Sequence, residues 1–169
     1  FGHGITTTIL QLAKGYAIIS NGGYEITPTL IRDNSNEKIK KVKVLNNDVS
    51  KKMNSMMRKV VSEGTAKLVN VDGYQVGGKT GTAEQVLNSI YSKTKINTLA
   101  SIFPTDSPKF VLVVMLESTK NNKNYTYEYR DGSGFKLLGS PRNTAGWTTV
   151  EAAGKIIDKI GPILATKYI

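Results

Sequence analysis

The stretch GYQVGGKTGTAEQ, residues 73–85, decides the fold because its letters fit two different structures. Gly73, Gly78, Lys79 and Thr80 match the phosphate-loop pattern G-x-x-x-x-G-K-[ST], in which backbone amides before a helix hold the phosphates of a nucleotide. The same letters also describe an exposed β-strand that carries one lysine among small hydroxyl residues. The two interpretations predict different kinds of site, and the rest of the chain decides between them.

The composition is that of one ordinary folded domain or of a piece of a larger one. The chain has 169 residues, of which 39% are hydrophobic and 21% charged, so we expect a packed core and no global disorder. The absence of cysteine excludes disulfides, thiolate zinc sites and cysteine nucleophiles. No apolar run is long enough to span a membrane, and the start at Phe1 indicates an excised portion with a signal or anchor upstream.

The net charge of +10 raises the question of a nucleic-acid partner. Lysines and arginines are scattered, with local clusters at 38–43 and 51–59, and no nucleic-acid-binding motif accompanies them. We therefore expect no nucleic-acid partner. A basic, solvated surface near an anionic wall or membrane accounts for the same charge.

Hydrophobic periodicity and turn residues divide the chain into helices, strands and loops. Apolar residues at helical spacing predict three helices, at 9–20, from about 48 to 63, and at about 148–161, where Pro162 bends or ends the last one. Runs typical of strands lie at 38–45, 73–86, 97–104 and 109–117, and polar stretches typical of loops lie at 24–36 and 118–146.

Three observations weigh against the phosphate loop. Gly81 follows Thr80 directly, which is a poor start for the helix that a phosphate loop requires. The strands at 97–104 and 109–117 are joined by a short, proline-containing link, so they form an antiparallel hairpin and not a parallel crossover unit. No further strand–helix units follow. We therefore predict an α+β fold in which these two strands and 73–86 form an antiparallel sheet covered by helices.

An edge strand at 73–86 accounts for the same letters with a different chemistry. Its glycines let the backbone of a peptide approach closely and pair with the strand. Lys79 supplies a fixed positive charge, and the hydroxyls of Thr80 and Thr82 can bind a carboxylate. A backbone N–H of the strand can point at a carbonyl oxygen as that oxygen gains negative charge. These groups make up half of an acyl-transfer site.

The sequence Lys79-Thr80-Gly81-Thr82 resembles the third motif of the penicillin-binding proteins and serine β-lactamases. The flanking sequence extends the resemblance to the class B penicillin-binding proteins, and the last helix is similar to that of septal, division-type transpeptidases. The similar segments are 1–23, 61–85, 100–117 and 144–164, which cover nearly the whole chain.

The resemblance implies a D,D-transpeptidase that cross-links peptidoglycan stem peptides ending in D-Ala-D-Ala and is trapped by β-lactams. It implies that Lys79 and Thr82 are catalytic and that Thr80, Gly81 and Thr82 bind substrate. Lys79 contributes charge, the two threonines hold the carboxylate, the Thr82 N–H is an oxyanion donor, and Gly81 gives clearance. No cofactor or metal is implied. Other division proteins are implied as partners, at the periplasmic face of a bacterial inner membrane.

The chain departs from the family pattern at the nucleophile. The family's S-x-x-K pattern occurs at Ser133-Gly134-Phe135-Lys136, but this match follows the third motif, in a polar loop, and we interpret it as chance. The second motif, S-x-N, has no match. We therefore expect residues 1–169 to be the C-terminal part of one transpeptidase domain, with the serine outside this chain. Alone, this part is expected to be inactive and to self-associate or to be marginally stable.

Two other functions stay open on the sequence. One is a nucleotide-binding module at Gly73–Thr80, and the other is a non-catalytic wall-binding or protein-interaction domain that keeps the fold. Tyr125, Tyr127 and Tyr129 alternate beside the predicted site, where loop packing is the simplest explanation. His3, the only histidine, is interpreted as structural.

Overall fold

A computed structural model describes residues 5–31, 42–87, 90–120, 122–140 and 142–168. The predictions for His3 and for most of the strand at 38–45 lie outside these residues. Within the described part of that strand, Lys43 forms a single antiparallel bridge with Tyr24.

The first helix, α1, spans Ile9–Ser20, as the sequence predicts. It begins with a capping box, because the Thr8 side chain accepts from the Gln11 N–H and the Gln11 side chain accepts from the Thr8 N–H. It ends at the Asn21-Gly22-Gly23 segment. Gly23 has a φ of +88° and lies against Leu45, whose carbonyl oxygen would be 2.1 Å from any added Cβ.

The second helix, α2, spans Asn47–Ser62 and packs against the C-terminal end of α1. Ser50 donates to the carbonyl of Ile19 over 2.5 Å, and the Asn54 amide donates to the carbonyl of Ser20 over 3.2 Å. These two carbonyls belong to the last turn of α1, where helix carbonyls have no partner within the helix. Side chains of α2 therefore satisfy the end of α1 and fix the angle between the two helices.

Three antiparallel strands form the main sheet, as predicted, and their order in the sheet is β1–β2–β3. They are β1 (Gly77–Leu87), β2 (Ile90–Phe103) and β3 (Phe110–Glu117). The β1–β2 hairpin extends further than the sequence indicated, because β2 begins at Ile90. Among the three strands β1 is an edge strand, so one side of its backbone is not paired within this sheet.

The third helix, α3, covers one face of the sheet. It runs over Thr149–Tyr168, and its residues Val150, Ala153 and Ile157 are buried against Leu99 and Phe103 of β2. The opposite face of the sheet, which carries Ala100 and Ile102 of β2, meets α1, and α2 contacts β1. Helices therefore contact both faces of the sheet, but β3 is only half-buried, and its residues Met115 and Leu116 are exposed.

The predicted end of the last helix at about residue 161 is wrong, because α3 continues past Pro162 to Tyr168. A proline inside a helix removes one backbone hydrogen bond. Packing beyond the proline outweighs that loss. Leu164 contacts the core, and the Tyr168 ring meets the Phe110 ring edge-on at 6.0 Å.

The stretch predicted as a long loop, 118–146, contains a two-stranded antiparallel ribbon. Its strands are β4 (Thr126–Glu128) and β5 (Lys136–Leu138). The ribbon is fixed to α3 by Arg130, whose two guanidinium nitrogens donate to the Glu151 carboxylate over 2.9 and 3.0 Å. Both side chains are nearly buried, and the hydrogen bond to Glu151 raises the pKa of Arg130 despite its burial.

Candidate active site

Residues 79–82 lie extended in the edge strand β1, as the sequence predicts. Lys79 pairs with Ala100 of β2, and Thr82 pairs with Asn97, with no register shift between them. Since neighbouring side chains of a strand point to opposite faces, Lys79 lies on one face of the sheet while Thr80 and Thr82 lie on the other. A cavity lies on each face.

The cavity on the Lys79 face has a volume of about 530 Å³ and lies between β1, β2 and α1. Leu12 and Tyr16 of α1 line it together with Lys79. Burial raises the pKa of the Tyr16 hydroxyl, so this group stays neutral at physiological pH. The Lys79 side chain is exposed, and its Nζ donates to the carbonyl of Thr80 over 2.8 Å. Lys79 is thus the cationic side chain that lines this cavity.

The cavity on the threonine face has a volume of about 560 Å³. Thr80 and Thr82 line it opposite a wall that contains Arg142, Ala145 and Trp147. The wall touches the strand directly, because the Ala145 N–H donates to Thr82 Oγ1 over 3.0 Å.

A second segment meets the same face of the strand. It follows α2 and includes Thr65, whose hydroxyl oxygen lies 2.9 Å from Thr80 Oγ1. Each of the two threonines is therefore held by a group from a different part of the chain.

The glycines of β1 differ in what surrounds them. A Cβ at Gly78 would lie 2.7 Å from the carbonyl oxygen of Ala100, and one at Gly77 would lie 2.5 Å from Thr105. These two glycines are required by packing inside the chain. A Cβ at Gly81 would meet Thr98 at an ordinary 3.9 Å. Nothing in the described structure requires a glycine there, so the open space above Gly81 is available to a ligand.

The strand geometry contradicts the nucleotide-binding alternative at Gly73–Thr80. A phosphate loop needs a strand before it and a helix that begins near its lysine. The preceding residues Lys67–Val69 form a 3₁₀ turn, and Lys79 and Thr80 lie inside β1, which continues to Leu87.

The S-x-x-K match at Ser133 and Lys136 does not form a nucleophile site. Ser133 lies in a turn, where its hydroxyl donates to the Asp131 carboxylate over 2.5 Å, and the same contact lowers the pKa of Asp131. Lys136 begins β5 and lies 3.3 Å from Glu128 in an exposed ion pair. The two side chains have separate partners and do not share a helix.

Sequence reasoning missed two groups that contact the site strand, Thr65 and Ala145. Thr65 lies in the segment Gly64-Thr65-Ala66, whose resemblance to the family was noted without a role for its hydroxyl. Ala145 contacts Thr82 through its backbone N–H, and a backbone contact cannot be predicted from the identity of the side chain. The alternating tyrosines divide between two roles, since Tyr127 is buried against Trp147 and Tyr129 lines the threonine-face cavity.

Comparisons with known proteins define the class to which this fold and strand belong. Residues 1–133 match the family described as penicillin binding protein transpeptidase domain. The chain belongs to this family.

Two curated relatives illustrate the similarity. The chain is 31% identical to a probable peptidoglycan D,D-transpeptidase FtsI of Caulobacter vibrioides over 99% of its own length and 28% of that protein. It is 30% identical to stage V sporulation protein D of Bacillus subtilis over 71% of its length and 20% of that protein. The chain therefore spans about a quarter of these relatives.

Solved structures confirm the predicted transpeptidase-like α+β fold. The transpeptidase domain of Burkholderia pseudomallei penicillin-binding protein 3 matches the whole chain with a TM-score of 0.75 at 22% identity, and the match covers 45% of that structure. Penicillin-binding protein 3 of Mycobacterium tuberculosis matches 95% of the chain with a TM-score of 0.68 at 26% identity, over 37% of that structure. Within the described residues, no helix has the length and apolar character needed to cross a bilayer.

Proposed function

We propose that this chain is the C-terminal part of a D,D-transpeptidase that cross-links peptidoglycan stem peptides in septal wall synthesis and binds β-lactams. The observation that carries the proposal is the geometry of Lys79–Thr82. These residues form an extended edge strand between two open cavities, with a cation on one face and two hydroxyls on the other. An extended peptide that ends in a carboxylate fits such an edge.

Lys79 supplies positive charge on the side of the strand where the reacting carbonyl lies. Its Nζ is bonded to the Thr80 carbonyl over 2.8 Å and is exposed to the cavity, so it can turn toward an incoming anionic group. The neutral Tyr16 on the opposite wall offers a hydroxyl without a competing charge. On the other face, Thr80 and Thr82 hold the terminal carboxylate of the stem peptide or of a β-lactam.

The backbone N–H of Thr82 is one oxyanion donor in this proposal. In an antiparallel strand the N–H and C=O of one residue point to the same side, and residues two apart share that side. The Thr80 carbonyl accepts from Lys79 and belongs to the same set as the Thr82 N–H. This supports a Thr82 amide that faces the open edge and can meet a carbonyl oxygen as it gains charge.

The nucleophilic serine belongs to a part of the protein outside these 169 residues. Its Oγ attacks the penultimate D-Ala carbonyl, the peptide C–N bond breaks, and the terminal D-Ala leaves with the proton that the serine gave up. An amine of a second stem peptide then attacks the acyl-serine and releases the serine. We place this reaction at the periplasmic face of the inner membrane with other division proteins as partners.

Covalent labelling with a fluorescent penicillin tests the proposal. The full-length protein that contains this chain is expected to be labelled, and the isolated 169-residue chain is not. Lys79→Ala is expected to abolish labelling, whereas Ser133→Ala, which removes only local contacts to Asp131 and Phe135, keeps it. A full-length protein that folds and stays unlabelled would leave the non-catalytic wall-binding function as the better explanation.

A further inference from the structure

We propose that Thr65 and the wall around Ala145 are positioning groups that fix the hydroxyl directions of Thr80 and Thr82 from outside the K-T-G-T strand. The inference rests on the proposed function, because it names what orients the carboxylate-binding hydroxyls. Its starting point is that both threonines line an open cavity and yet each hydroxyl already has a partner behind it.

The partner of Thr82 determines where its proton points. A threonine hydroxyl has one proton to donate and two lone pairs that accept. Thr82 Oγ1 accepts from the Ala145 N–H over 3.0 Å, so one lone pair is occupied and the proton stays available. A carboxylate only accepts hydrogen bonds and is therefore the kind of ligand that this arrangement favours.

Thr80 is arranged in the same way through a side chain. Its Oγ1 lies 2.9 Å from Thr65 Oγ1, and either hydroxyl can be the donor in the empty site. When a carboxylate binds, it accepts a hydrogen bond from the Thr80 hydroxyl. Thr65 is then the donor in the hydrogen bond between the two threonines. Thr65 is exposed, so core packing does not account for a β-branched hydroxyl residue at this position.

The two positioning groups belong to one continuous wall. Gly146 packs against the backbone of Thr65, since a Cβ at 146 would lie 2.8 Å from the Thr65 carbonyl oxygen. Thr119, which lies two residues after the end of β3, donates to Asn143 Oδ1 over 2.6 Å. Asn97 donates to the same oxygen over 3.1 Å. Asn97 is buried and lies directly opposite Thr82 in the sheet. The wall is thus tied to β2 at the position directly opposite Thr82.

The experiment compares acylation rates of the full-length protein with benzylpenicillin and with its methyl ester, which lacks the carboxylate. Thr65→Val keeps the shape and removes the hydroxyl, and we expect the second-order rate with benzylpenicillin to fall about threefold to tenfold, the loss of one hydrogen bond. The rate with the ester is expected to be unchanged. Thr65→Ser restores the hydroxyl and is expected to restore the rate.

A second variant reaches the other threonine. Asn143→Ala removes the bond that ties the wall to Asn97 and Thr119, and we expect the same carboxylate-dependent loss. Thr126→Val, at an exposed position outside both cavities, is the matched control and keeps the wild-type rate with both compounds.

The possible outcomes distinguish a positioning role of Thr65 from a purely structural role. An equal fall with penicillin and with the ester, or wild-type rates for Thr65→Val with both, overturns the inference while leaving the proposed function standing. A wild-type protein that neither compound acylates overturns the proposed function itself. Thermal unfolding of each variant shows whether it is folded, and the Ser rescue distinguishes a lost hydroxyl from a lost fold.

Discussion

The two faces of the sheet differ in how completely this chain covers them. On the α3 face, Leu99 and Ile157 are 0% exposed and Phe103 is 2% exposed, so the core there is closed. On the other side of the molecule, Ile9 and Leu10 of α1 are 46% and 61% exposed, and a cavity of about 530 Å³ lies between α1 and the sheet. The core on the α3 face is fully buried, whereas apolar side chains of α1 on the other side stay exposed to solvent among the described residues.

This difference in burial shows how the candidate site on the K-T-G-T strand is placed in the fold. The K-T-G-T strand is paired to the strand that carries the closed core, and its Lys79 side lies on the face where α1 exposes apolar surface. The expected self-association or marginal stability of the isolated chain stays a prediction.

The largest expected effect tests the asymmetry directly. Phe103→Ala, in the closed core, is expected to lower the free energy of unfolding of the transpeptidase domain by about 3–5 kcal/mol, because it leaves a cavity that the packed helix cannot fill. Leu10→Ala in the same domain is the matched control, and we expect a cost under about 1 kcal/mol because its side chain is 61% exposed. Urea denaturation measures both. Equal losses would mean that α1 is covered in the complete protein.

The second effect concerns the buried ion pair that fixes the ribbon to α3. Glu151→Ala leaves the Arg130 charge without its carboxylate, and we expect a loss of about 3 kcal/mol, at the lower end for a broken buried pair. Arg130 keeps its bond to the Leu68 carbonyl, which limits the loss. The exposed pair of Lys14 and Glu25 supplies the control.

That control, Glu25→Ala, breaks an ion pair of similar length, 3.0 Å, whose side chains are 33% and 45% exposed. Its expected cost is under about 1 kcal/mol. If urea denaturation gave the two glutamate variants the same midpoint, the ribbon would not depend on Arg130 for its anchoring.

Local signals in the sequence predicted the elements that local chemistry controls. The bounds of α1 were predictable because Thr8 and Gln11 form its capping box and a glycine pair ends it. The continuation past Pro162 was not, because it depends on contacts of Leu164 and Tyr168 with residues distant in the chain. The two ribbon strands have only three residues each, which is too short for an alternation of apolar and polar residues to be recognised in the sequence.

The site divides in the same way. Lys79, Thr80 and Thr82 could be singled out because the motif is contiguous. Their partners Thr65 and Ala145 lie 15 and 63 residues away from the threonines that they contact. Contacts between residues so far apart in the sequence can be identified only from the three-dimensional structure.

The smallest effect on stability distinguishes two glycines that look alike in the sequence. Gly78→Ala places a methyl group 2.7 Å from the Ala100 carbonyl oxygen, so the hairpin must shift, at an expected cost of about 1–3 kcal/mol in the free energy of unfolding. Gly81→Ala meets Thr98 at 3.9 Å and is expected to change that free energy by less than about 0.5 kcal/mol.

Penicillin acylation is expected to separate the same pair. The methyl group of Gly81→Ala occupies the space above the strand that a peptide backbone needs, so the full-length variant should be folded and at least tenfold slower to be labelled. Gly78→Ala, once folded, should be labelled faster than Gly81→Ala because its methyl group lies inside the hairpin. A Gly81→Ala protein that is labelled at the wild-type rate would show that substrate does not lie along this strand.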